Sequence, residues 1–282
     1  METVKRYLKH LKLEGKSTNT LKTYTYHLQA FSSWCTTKSL KIDNIQTTNL
    51  LEFREYLSLQ DKTPRTINAI LSCVRGYYDY LILLGKTQTN PVAKALTLKV
   101  KSKMIEPLSD QEINQLLSHI NGWKENIKAA FHCMIGTGTR VGEIATLKKS
   151  DFMLKDGQIW INIVDAKWGS DRKIPIILKD SAIIVYKYLT TIDVNEEPAF
   201  RVSKRTLQTY ADNFQKKTGI PFHCHIIRHT FATKLLEAGV DIEKIRFMLG
   251  HKTYNMTRHY TQAANINVKE LAPTIWQKGE DE

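Results

Sequence analysis

Apolar side chains recur every three to four positions in several stretches of this chain, the spacing that turns one face of a helix toward a core. Thr20 to Trp34 carries Leu21, Tyr24, Leu28, Phe31 and Trp34 on such a stripe. Thr47 to Leu59 does the same with Leu50, Phe53, Tyr56 and Leu57. Thr63-Pro64 supplies a cap and a first-turn proline ahead of Ile67, Ile70, Leu71, Val74, Tyr77, Tyr78 and Leu81, and Gly85 closes that helix. A helical bundle over residues 1–86 is therefore expected. The pattern then lapses through Asn90-Pro91 into Lys99, Lys101 and Lys103, which reads as an exposed basic linker over residues 87–106.

Periodicity resumes in residues 107–282. Ser109 and Glu112 form a capping box before Ile113, Leu116 and Leu117. A helix through Lys128 to Ile135 stops at Gly136-Thr137-Gly138. Asp156-Gly157 predicts a hairpin turn, Ile159, Ile161 and Ile163 alternate as a strand does, and Ile174, Ile176 and Leu178 supply a return strand. Helices over Ser203 to Thr218, His225 to Ala238 and Asp241 to Leu249 each run into a glycine. The expected fold class is mainly α with a small β-sheet, an α+β second domain behind a helical first one.

Composition narrows the class. At 282 residues with 42% apolar and 24% charged side chains, the chain can build real cores and is neither disordered nor fibrous. The longest apolar stretches, such as Tyr80 to Leu84, fall far short of the roughly 18 residues that span a bilayer, and Met1 to Lys12 has no secretory apolar segment. A cytoplasmic protein without membrane partners is expected. Cys35, Cys73, Cys133 and Cys224 lie far apart, as buried reduced thiols would. The net charge is +13, and residues 1–106 hold 17 basic against 8 acidic side chains, compared with 24 and 20 in the remainder. That asymmetry points to a polyanion, most simply nucleic acid.

Four segments gather reactive side chains. Arg140 follows the Gly-Thr-Gly turn, where a guanidinium beside free backbone amides can grip a phosphate; a surface ion pair with Glu143 is the alternative. Lys167, in the Asp165–Asp171 connection between two strands, can swing toward a reacting phosphate or simply be solvated. His225 and Arg228, three apart on a helix, can approach one anion. His225 and His229 have zinc-protease spacing, but Ile226 stands where that chemistry needs a glutamate. His251 precedes Tyr254 and Arg258-His259-Tyr260. A phenol with a pKa of about 10 is ionised about one time in a thousand at neutral pH, and full ionisation needs about 4 kcal/mol of stabilisation. Tyr260 is thus either a packing residue or a nucleophile surrounded by cations.

Taken in order, these segments resemble the tyrosine recombinase (phage integrase) family, whose pattern is Arg, hairpin Lys, His-x-x-Arg, His or Trp, then Tyr. Thr137-Gly138-Thr139-Arg140-Val141-Gly142-Glu143 resembles the first box. Lys167, eight residues before Pro175, resembles the hairpin lysine. His225-Ile226-Ile227-Arg228-His229-Thr230 continues to Gly239 as the second box does, and His251 stands nine residues before Tyr260. Two features depart from the pattern: Trp168-Gly169-Ser170 at the hairpin tip, and Tyr254 as a second tyrosine. The resemblance implies a helical core-binding domain followed by a catalytic domain, of the compact Xer-like or transposon-resolution type without an arm-binding domain.

It also implies that Tyr260 forms a 3′-phosphotyrosyl link, that Arg140, Arg228 and His251 stabilise the pentavalent phosphate, that Lys167 is the general acid, and that His225 assists proton handling. Glu143 would support the arginine. The covalent link conserves bond energy, so no cofactor and no metal is expected. The implied partner is double-stranded DNA with inverted-repeat core sites, bound by a homo-tetramer assembled from monomers in the cytoplasm of a prokaryote. The implied task is integration, excision or resolution of a mobile element or replicon. Val268, Leu271, Ile275 and Trp276 form a tail stripe that either packs within the chain as a core helix or, as the resemblance favours, docks on a neighbouring subunit. A type IB topoisomerase and a non-catalytic architectural DNA-binding factor are the competing readings.

Overall fold

A computed structural model of the chain describes residues 2–100, 105–164, 171–193 and 198–250. The chain divides into two compact units, Met1–Lys103 and Met104–Glu282.

The first unit is built on four helices, α1 Glu2–Leu13, α2 Thr18–Thr37, α3 Thr47–Leu59 and α4 Pro64–Leu83. Ser17 and Thr63 cap α2 and α4 by accepting the amides of Thr20 and Thr66. The core is aromatic and aliphatic, with Leu28, Phe31, Leu50, Phe53, Val74, Tyr77 and Leu81 fully buried. The charge-rich start, inside the expected bundle but without a stripe named for it, lays Val4, Tyr7 and Leu11 onto that core as α1. Tyr56, expected on the core stripe of α3, is instead exposed, because Phe53 and Leu57 already fill the inward face. Asp43 ties α1 to α4, accepting from the Thr3 hydroxyl at 3.0 Å and from the Tyr77 phenol.

The segment after α4 packs on this unit instead of running free. Val92 and Leu96 are buried in its core. Asn90 donates to the Arg75 carbonyl, the Arg75 guanidinium donates to the Val92 carbonyl, and Asn68 brackets Leu98 with two bonds of 2.9 Å. Two α4 side chains, Arg75 and Asn68, and the Arg75 carbonyl therefore hold the stretch to Leu98, so the part available as a connector is shorter than residues 87–106.

In the second unit α5 Asp110–Ile120 begins with the Ser109/Glu112 capping box. Helix α6 Glu125–Thr137 is buried on nearly all sides, with Ala129, Ala130, Phe131, Cys133 and Met134 at zero exposure. A helix enclosed this way is a central pillar. The sheet is β1 Phe152–Lys155, β2 Gln158–Ile163 and β3 Arg172–Pro175, antiparallel in that order, with Ile161 opposite Phe152 on one side and Ile174 on the other. Asp156 and Gly157 both have positive φ (52° and 72°), the conformation of a tight two-residue hairpin turn. The return strand stops at Pro175, short of the expected Leu178, which is exposed and precedes α8 Lys179–Thr190.

A short helix α7 Val141–Ile144 follows α6, and α9 Lys204–Thr218, α10 Cys224–Glu237 and α11 Ile242–Leu249 complete the described unit. All four cysteines are free and buried. No described helix is long and apolar enough to cross a membrane.

Candidate active site

The site begins where α6 stops. Gly138 caps that helix in the left-handed region, at φ 64°, and a β-carbon there would lie 2.4 Å from the Phe231 ring and 3.0 Å from Leu249. Only glycine satisfies both the conformation and the approach. The turn delivers Arg140 to the start of α7, where Glu143 reaches back to the Arg140 amide at 2.8 Å and binds its guanidinium at 2.9 Å.

Arg228 projects from α10 and is one of the most deeply buried side chains, at 1% exposure. Its guanidinium donates to the Gly138 carbonyl at 2.9 Å and the Leu249 carbonyl at 2.6 Å. Arg140 donates to the Gly250 carbonyl at 3.3 Å, and Arg172 of β3 donates to the Met248 carbonyl at 2.7 Å. Three consecutive carbonyls at the end of α11 thus receive three arginines from three different elements. A helix C-terminus carries unpaired carbonyls and a partial negative charge, so cations settle there. The α11 terminus fixes the relative positions of Arg140 and Arg228.

Arg140, Arg228 and His225 all line one cleft of about 890 Å³, with Glu143, Lys148, Ser150, Lys204 and Cys224 among the other walls. Burial lowers the His225 imidazole below its ordinary value, and the charges of Arg228 and Arg140 lower it further. Its neutral form is therefore favoured. Burial pushes the Cys224 thiol up to about 11, so it is not a thiolate nucleophile at neutral pH. Burial by itself would raise the Glu143 carboxyl. Its hydrogen bond and charge contact with Arg172, then those with Arg140, outweigh that and hold it below the carboxylate range.

The expected ion pair between Arg140 and Glu143 exists, but it is not a surface pair, since Glu143 is only 9% exposed and also binds Arg172 at 3.0 Å. Paired in this way, the Arg140 side chain is still 27% exposed and opens onto the cleft. Lys167, His251, Tyr254, Tyr260 and the tail stripe from Val268 to Trp276 lie outside the described residues. The cleft is bordered by Ile163 and Val164, where β2 leads into the connection that holds Lys167, and His251 follows Gly250 directly in sequence.

Two residues at the site escaped the sequence reading as functional candidates, Arg172 and Lys204. Arg172 left a trace. It falls on the same side of its strand as Ile174, an inward position where a charge must find a buried partner.

Residues 106–266 match the phage integrase family, and residues 4–85 match the phage integrase N-terminal SAM-like domain. The chain belongs to the phage integrase, or tyrosine recombinase, family. Among its relatives, Tyrosine recombinase XerA of Pyrococcus furiosus is 27% identical over 95% of this chain and 92% of its own length. Tyrosine recombinase XerD of Rickettsia conorii is 28% identical over 90% of this chain and 91% of its own length. The crystal structure of XerA recombinase is 25% identical and covers 98% of each chain, with a TM-score of 0.52. The Tn1549 transposon integrase in complex with circular intermediate DNA shares the fold at a TM-score of 0.76 and 18% identity, over 97% of this chain and 98% of that one.

Two predictions concern this unit of the recombinase. Gly138→Ala should lower stability by about 1–3 kcal/mol from the left-handed backbone alone, with the Phe231 clash added. An unshifted thermal midpoint would refute the close approach. His132, buried and 3.1 Å from the Ser181 hydroxyl, is lowered by burial and then by the Lys128 charge. In the window below 6.5 the unfolded chain takes up a proton that the folded site refuses. Stability should therefore fall as pH drops from about 7 toward 5, and His132→Gln should flatten that slope. Urea titrations across the range measure both, and an equal slope in the two proteins would contradict the assignment.

Proposed function

We propose that the chain is a site-specific DNA recombinase that cuts and rejoins strands through a 3′-phosphotyrosine intermediate. The observation that carries this reading is the convergence of Arg140, Arg228 and His225 on one cleft in a chain of this family. Two planar guanidiniums fixed by main-chain carbonyls are suited to a phosphoryl transition state, whose demands are positioning and charge.

In the reaction, the Tyr260 oxygen attacks phosphorus and the bond from phosphorus to the 5′ oxygen breaks. Arg140, Arg228 and His251 stabilise the added charge. His225 assists in proton handling or orientation, and Lys167 donates a proton to the departing 5′ oxygen. The freed 5′-hydroxyl of a partner strand then attacks the phosphotyrosine and releases Tyr260. Bond energy stays in the covalent link, so strand exchange needs no nucleoside triphosphate. Glu143 supports Arg140.

The proposed substrate is duplex DNA carrying inverted-repeat core sites, with four copies of the chain in the synaptic complex, in the integration, excision or resolution of a mobile element or replicon. Its place of action is the DNA-containing cytoplasm. Core sites should be findable as short inverted repeats separated by roughly half a helical turn to one turn.

A supercoiled plasmid carrying two such sites tests the reading. Deletion or inversion products that require both sites are expected. Relaxation of plasmid lacking any site would instead assign a type IB topoisomerase activity, and binding with no strand cleavage would assign an architectural role.

A further inference from the structure

Glu143 presents a difficulty for the site just described. A carboxylate 2.9 Å from the Arg140 guanidinium would cancel most of the positive charge that Arg140 offers a phosphate. Yet the carboxylate holds Arg140 at two points, the side chain and the backbone amide. The structure answers this with a second guanidinium. Arg172 binds both Glu143 oxygens, at 3.0 and 3.4 Å, from the side away from solvent.

Burial divides the labour between the two arginines. The Arg172 side chain is 1% exposed and is not part of the cleft wall that holds Arg228, whereas that of Arg140 is 27% exposed and opens onto the cleft. Two guanidiniums share the Glu143 carboxylate, and of the two it is Arg140 that faces the cleft.

We propose that Arg172 is a positioning residue for strand cleavage: its buried guanidinium neutralises Glu143, so that the carboxylate can orient Arg140 without cancelling its charge. Its bond to the Met248 carbonyl sets this pair on the same helix terminus that receives Arg228 and Arg140. The inference rests on Arg140 binding the scissile phosphate.

The experiment uses the full chain, a nicked suicide duplex at saturating concentration and four proteins: wild type, Arg172→Met, Glu143→Gln and the double variant. In Arg172→Met the unbalanced carboxylate captures Arg140, and cleavage should fall by about 10–100-fold, a fraction of the loss seen when a transition-state donor is removed outright. Duplex affinity, set by many phosphates, should change less than about threefold. Adding Glu143→Gln removes the captured charge, so the double variant should cleave at least about fivefold faster than Arg172→Met. A merely structural arginine predicts the opposite, a double variant as slow as the single or slower.

Wild-type cleavage by Arg172→Met, or no gain in the double variant, overturns the proposal. Should Arg172→Met fail to fold, the double variant is compared with Glu143→Gln alone. There Arg172→Met should cost less than about threefold, since no carboxylate remains to balance, and a further tenfold loss overturns the proposal. Failure of the underlying reading is distinct, because it would leave Arg140→Ala cleaving normally, whereas failure of this inference leaves Arg140→Ala defective with Arg172→Met unaffected or not rescued in the double variant.

Discussion

Arg140→Ala is expected to lose strand cleavage by about 10²–10³-fold while keeping duplex affinity within a few-fold. The first magnitude is that of deleting one preorganised donor to a charged transition state, about 3–4 kcal/mol. The second follows because duplex affinity is the sum of many backbone phosphate contacts, of which this residue supplies one. The variant should also fold. Glu143 keeps its pair with Arg172, so no buried charge is stranded, and the Arg140 side chain is partly exposed. Arg228→Ala is a less clean experiment. It leaves the carbonyls of Gly138 and Leu249 without the guanidinium that holds them, at a cost of about 1–3 kcal/mol for each buried acceptor left unsatisfied. Equal losses of cleavage and affinity in Arg140→Ala would assign it to holding DNA and not to the reaction.

Tyr260→Phe is expected to bind its site with unchanged affinity and to form no covalent adduct at all. The substitution removes a single oxygen, so the cations of the cleft and the DNA contacts are untouched. Only the proposed nucleophile is lost, and the effect should be absolute within detection. A phenol needs about 4 kcal/mol of assistance to ionise fully at neutral pH. A cleft with two fixed guanidiniums offers charge stabilisation of that kind. Suicide-substrate gels measure the outcome. Adduct persisting in the variant would move the nucleophile elsewhere, with Tyr254 the nearest candidate in sequence.

The parts of the fold that could be read in advance are those whose local and tertiary signals agree. Helix α3 spans Thr47–Leu59, as its stripe suggests, and α9 is bounded by Ser203 and Gly219, each doing the work its residue type favours. Helix α1 was hidden because its narrow stripe of Val4, Tyr7 and Leu11 is spaced by lysines and an arginine, so only the finished core gives it a reason to fold. Helix α8 contains Ile183, Ile184 and Val185, a β-branched run that suits a strand as readily as a helix, and its assignment comes from packing. Leu178 continued the alternation of Ile174 and Ile176, but the register places it opposite Gly157 of the hairpin turn; the ladder ends with the Ile176 amide on the Ile159 carbonyl, and the chain turns into α8.

The site was legible where a motif is local. Gly138, Arg140 and Glu143 lie within six residues, and His225 and Arg228 within one helical turn. What the sequence could not convey is that the end of α11 gathers arginines from β3, α7 and α10, because those partners are 21 to 110 residues away along the chain. Arg172 shows the difference most plainly: its inward strand position signals that it must be paired, but nothing local names Glu143 as the partner.

The most direct test of the account is the chemical identity of the covalent adduct. The wild-type chain is trapped on a nicked suicide duplex, digested, and the peptide that carries the nucleotide is sequenced by mass spectrometry. The account predicts one modified residue, Tyr260, joined to the 3′ phosphate of the cut strand, with a free 5′-hydroxyl on the released end. A link to a 5′ phosphate, or to any other side chain, would contradict it.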